Sequence, residues 1–128
     1  NTTVRGDFVV EAGSLKIGTS ARAYNPITTL TDAASITSDF ALGNNFLVTL
    51  AGNRTLAAPT NVVAGQSGSI YLIQDGTGSR TLGYNTAWQF VSATVPTLST
   101  GASDVDMLVY MARSAATIDA VLLKNFDR

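Results

Sequence analysis

The chain has 128 residues, a net charge of −1, only 13% charged residues, and neither His nor Cys. A near-neutral chain with singly scattered Lys and Arg excludes electrostatic capture of nucleic acid. The missing Cys and His remove disulfides, thiolate metal sites and the commonest general base, and no apolar run approaches the ~18 residues of a membrane span. No catalytic residue, no metal and no cofactor is therefore expected, and no membrane insertion.

Residues 6 to 18 repeat at a spacing of seven: Gly6 maps onto Gly13, Phe8 onto Leu15 and Val10 onto Ile17. Each unit reads as a short period-2 strand opening on a glycine. Strands this short cannot bury an apolar face alone, so Phe8, Val10, Leu15 and Ile17 are expected to pack against their copies in neighbouring chains. Residues 19–35 are small and polar, with no clean period. They read as a linker on a neighbour's surface, with Tyr24 as a docking anchor. Residues 1–35 are thus expected to form an extended oligomerisation arm and linker, and 36–128 a folded domain. The first residue is Asn1 rather than Met, as expected of a fragment or a trimmed product.

From Ile36 the texture becomes that of strands. Phe46–Leu50 and Ser69–Gln74 are compact β runs. Between Gln74 and Arg80, the glycines 76 and 78 suit a tight hairpin turn, with Arg80–Tyr84 as the returning strand. Short strands follow at Trp88–Phe90 and at Thr97–Leu98 beside Pro96. Val105–Met111 and Thr117–Leu123 read as a C-terminal hairpin. No helical period is sustained. Seven or eight strands at such spacing predict an all-β domain, a β-sandwich or jelly roll, preceded by an extended β arm.

Three constellations have chemical potential. Asp104 and Asp106 are spaced i, i+2, with Asp119 across the hairpin, as an acid pair or calcium site needs; the alternative is the solvated face of an edge strand. The 75–79 turn has the glycines of a phosphate loop, but a strand follows where that loop needs a helix. Trp88, with Tyr84 nearby, either plugs the core or presents a stacking platform for a host glycan.

Several turn motifs recur in an order that resembles tailed-bacteriophage virion proteins, chiefly tail fibres and minor structural proteins. They are Leu56–Asn61, Ala64–Gly68, Gln74–Leu82, Pro96–Thr100, Val105–Asp106, Met111–Ser114 and Ile118–Asp119. The glycine-punctuated arm is similar to the short strands that precede such domains in trimeric fibres. The resemblance implies a non-enzymatic structural protein of the virion, a homotrimer assembling through its arm and contacting other virion proteins. Two alternatives are a capsid decoration (cement) protein and a glycan-reading receptor tip. A polysaccharide depolymerase is the weakest reading, since its carboxylates lack a cleft-like context.

Overall fold

A computed structural model describes residues 2–126; Asn1, Asp127 and Arg128, the outer ends of the two expected domains, lie outside the described residues. Among the described residues nine strands form: β1 (Ile27–Thr29), β2 (Ser35–Ile36), β3 (Asn45–Leu50), β4 (Arg54–Leu56), β5 (Ser67–Gln74), β6 (Leu82–Tyr84), β7 (Trp88–Phe90), β8 (Val105–Ser114) and β9 (Thr117–Leu123). The fold is all-β, as expected. Its topology differs from a jelly roll, which is antiparallel.

The first six strands alternate between two sheets. β1, β3 and β5 stack in parallel in one sheet, while β2, β4 and β6 stack in parallel in the other. The chain thus winds through three turns of a short solenoid. β8 then adds antiparallel to β5, β9 antiparallel to β8, and β7 parallel to β9. The large sheet has six strands in the order β1-β3-β5-β8-β9-β7. The C-terminal hairpin matches its sequence reading.

Three expectations change. Residues 27–35, read as linker, already carry β1 and the first residue of β2, and Leu30 is buried there. The 75–79 turn is not a hairpin, because β5 and β6 belong to different sheets. It is a corner of the solenoid. Thr97–Leu98 forms no strand, although Leu98 is buried.

Alternation fills the core. Phe46, Val48 and Leu50, then Ile70 and Leu72, then Leu108 and Tyr110 point inward from the large sheet, and Ile36, Leu56 and Leu82 face them from the small one. Phe40 closes one end, its ring 4.8 Å from Tyr110 and 5.8 Å from Phe46.

The corners are tied by ions. Arg54 forks onto Asp32 through Nε–Oδ1 (2.8 Å) and Nη2–Oδ2 (3.0 Å), joining successive turns. Arg80 forks onto Asp75 at 3.2 and 2.8 Å. The Arg80 hydrogen bonds hold the Asp75 carboxyl at about 2, below its ordinary 3.8, and the Arg54 hydrogen bond lowers Asp32 likewise. A depressed carboxylate stabilises the fold fully above its unfolded value, and that stability is lost as pH falls through the folded one. Thermal stability should therefore hold from neutral pH down to about 4 and fall between about 4 and 2. Arg80→Gln should flatten that fall; an unchanged acid limb would contradict the assignment.

Gly78 makes the 75–79 corner possible. Its φ is +75°, and a Cβ there would lie 2.7 Å from the Thr100 carbonyl oxygen, whereas Gly76 has open space. Gly78→Ala should cost about 1–3 kcal/mol and Gly76→Ala no more than about 0.5 kcal/mol. Urea denaturation of the two variants checks this, and equal losses would contradict it.

Candidate functional site

The arm reaches the folded domain at Asn25, whose carbonyl accepts a 3.2 Å hydrogen bond from Asn45 Nδ2 at the start of β3. Before that point, over residues 2–26, no strand forms. The expected β arm is missing for a physical reason: a strand needs a ladder partner, and the single chain supplies none. The seven-residue repeat is nevertheless visible in the backbone. Gly6 and Gly13 take φ of 89° and 91°, with nothing within 4 Å of either Cβ position. Phe8 and Leu15 are 64% and 66% exposed, Val10 and Ile17 are exposed as well, and Tyr24 is 75% exposed with the Arg22 guanidinium 6.0 Å from its ring centre. The structure brings none of these five together with a partner surface of the same chain.

Trp88 and Tyr84 sit differently from a sugar platform. Trp88 is 3% exposed, its Nε1–H donates to the Ala57 carbonyl at 3.0 Å, and Phe40 and Tyr110 stand edge-on to it. It spans the two sheets as a core plug. Tyr84 packs edge-on against Phe90 at 4.7 Å, and its hydroxyl is buried without a hydrogen-bond partner among the described residues. Burial, with the Asp106 charge, pushes the Tyr84 phenol well above its ordinary range, and burial pushes Tyr110 up to about 12. Neither phenol ionises near neutral pH.

The three carboxylates do not converge on one site. Asp106 faces the core, 2% exposed, and accepts from the backbone N–H groups of Ser99 and Asn125, each at 2.8 Å. Asp104 precedes β8 and accepts from the Gly101 N–H at 2.7 Å. Asp119 lies on the opposite face of the sheet, paired with Arg113 at 2.7 and 2.8 Å. Among the described residues no three His, Cys, Asp or Glu side chains cluster as metal ligands need. Asp106 is thereby a loop strap, its two oxygens matched to two N–H groups.

The surface that sequence reasoning missed is the outer face of the large sheet. Met107, Val109 and Met111 of β8 lie beside Val121 and Leu123 of β9 and Tyr71 of β5. A groove of about 570 Å³ crosses this face towards β7, lined mainly by Phe90, Val91, Val109, Met111 and Val121. The signal was present in β8, which is apolar at both parities; such strands are normally covered on both faces.

Residues 24–113 match the family model described as "Putative phage tail fibre C-terminal domain". The chain belongs to this phage tail fibre family. It is a bacteriophage virion component with a structural role among other virion proteins. No curated protein and no solved structure matches it. The matched segment of the tail fibre domain starts at Tyr24 and includes β1 and β2, which agrees with Ile27–Ile36 being part of the fold. It ends at Arg113 inside β8, so the arm to residue 23 and strand β9 lie outside it.

With Trp88 joining the two sheets, Trp88→Ala should lower stability by about 3–5 kcal/mol. A shift of the urea midpoint reads this directly; an unmoved midpoint would return Trp88 to the surface.

Proposed function

We propose that this chain is a non-enzymatic tail-fibre module that assembles as a homotrimer through its N-terminal arm. The observation that carries the reading is the seven-residue repeat of the arm. Phe8, Val10, Leu15 and Ile17 are exposed in a single chain, and Gly6 and Gly13 give both units the same backbone turn. A second chain or third chain supplies the ladder that the arm lacks. Tyr24 then docks at the root of the arm.

Surface area supports association. The chain exposes 8224 Å², whereas a compact monomer of its 13.3 kDa exposes about 6,450 Å². The excess of about 1,770 Å² per chain comes with the unpacked arm, and burying it against copies would give an interface of obligate size. A surface built from hydroxyls and amides, with a net charge of −1, repels copies of itself weakly.

The tail fibre family favours a fibre over a capsid decoration protein. The receptor-tip reading through Trp88 and Tyr84 loses its platform, because both rings serve the core. A groove of about 190 Å³ is lined by Tyr84, Phe90 and the 3%-exposed Trp88.

Val10→Asp with Ile17→Asp tests the arm. Charge at a shared apolar seam is costly to desolvate, and neither residue supports the domain. Light scattering should give the mass of a single chain, 13.3 kDa, with the β circular dichroism retained. An unaltered oligomer mass in the double variant would contradict arm-driven assembly.

A further inference from the structure

We infer that the outer face of the large sheet is a second contact between copies of this chain, distinct from the arm. The inference rests on the assembly reading above and names where the folded domains meet.

Topology leaves this face open. The crossovers at residues 30–44 and 51–66 both pass on the core side, where they build the small sheet. Among the described residues no strand lies over the other side, and only the 89–96 segment borders it beside β9. Yet that side is apolar in continuous rows. Tyr71, Met107 and Leu123 are register neighbours on β5, β8 and β9, and Val109 opposes Val121 in the next row. Val109, Met111, Val121 and Leu123, on the adjacent strands β8 and β9, are 39–49% exposed. Contiguous apolar patches of this kind mark contact surfaces.

Charge and position favour a second copy as the occupant. The ionic groups bordering the groove, Arg113 and Asp119, already neutralise each other at 2.7 Å. Among the described residues lining the groove no charge is left unpaired to steer an acidic or basic partner, and a copy of the same near-neutral surface meets it without repulsion. The arm also ends on this sheet, at Asn25 beside β3. Arms gathered on one axis bring their sheets to the same place. Four neighbouring strands at ~4.8 Å spacing and seven residues at ~3.3 Å rise give a footprint of roughly 400 Å². That is about half of one partner's share in a standard interface, so the face complements the arm without replacing it.

The chain has no Cys, so a single introduced thiol is a unique reporter. Val121→Cys keeps a small apolar side chain in the face. In the full-length assembled protein its reaction with a maleimide should be at least ~10-fold slower than that of Val63→Cys, whose parent residue is 67% exposed in the 51–66 crossover. Adding Val10→Asp and Ile17→Asp should release the protection. A retained oligomer mass with Val121→Cys reacting at the Val63→Cys rate overturns this inference alone. A single-chain mass for the unsubstituted protein overturns the arm reading and this one together. Leu123→Cys repeats the measurement at a second position if Val121→Cys does not fold.

Discussion

Six residue pairs, Asn45↔Ser69 through Leu50↔Gln74, hold β3 and β5 in parallel register, and the other elements take their places from that pairing. Parallel neighbours cannot be joined by a hairpin and need a crossover of a dozen residues or more. In most parallel sheets the crossover is a helix. Here it dips through a strand of a second sheet, so the small sheet is the set of crossovers themselves. That also decides which face becomes core. Phe46, Val48, Ile70 and Leu72 meet Ile36, Leu56 and Leu82, and among the described residues no strand covers the opposite face.

Crossovers that run close to a core carry backbone polar groups needing partners. Three side chains supply them. Gln66 Nε2 lies within 3.0 Å of the Phe40 and Gly43 carbonyls and of Asn44 Oδ1. Gln74, 3% exposed, donates to the Arg80 and Ser99 carbonyls and accepts from the Arg80 N–H. Asp106 holds the Ser99 and Asn125 N–H groups. Two of these straps, Gln74 and Asp106, meet at Ser99 and fix the long 91–104 segment against β5 and β8. An acid that looked available for chemistry is thus committed to backbone.

The strands and the C-terminal hairpin were legible because period-2 alternation is a local property. Phe46–Leu50, Ser69–Gln74 and Val105–Met111 each declare an inward face. Parallel or antiparallel pairing is not local, and the same alternation serves both. A glycine-rich turn between two β runs therefore looked like a hairpin at Gly78, although it makes a corner between sheets. β1 and β2 were missed because they have three and two residues and lie in or beside a small, polar stretch that shows no period. Trp88 was legible only as a choice between core and surface; the Ala57 carbonyl 31 positions away decides it. The arm's repeat was fully visible, since it is written in glycine spacing, but a partner strand from another molecule leaves no trace in one chain.

The architecture of this tail fibre family member leaves two apolar surfaces unpaired by the chain itself, the arm and the outer sheet face. Both follow from the winding: the arm precedes the first rung, and the face lies opposite every crossover. The proposed trimer gives each of them a partner of its own kind. Sedimentation equilibrium of the unsubstituted chain at micromolar concentration tests this most directly. The account predicts three times the chain mass of 13.3 kDa, about 40 kDa, and a mass of one chain would contradict it.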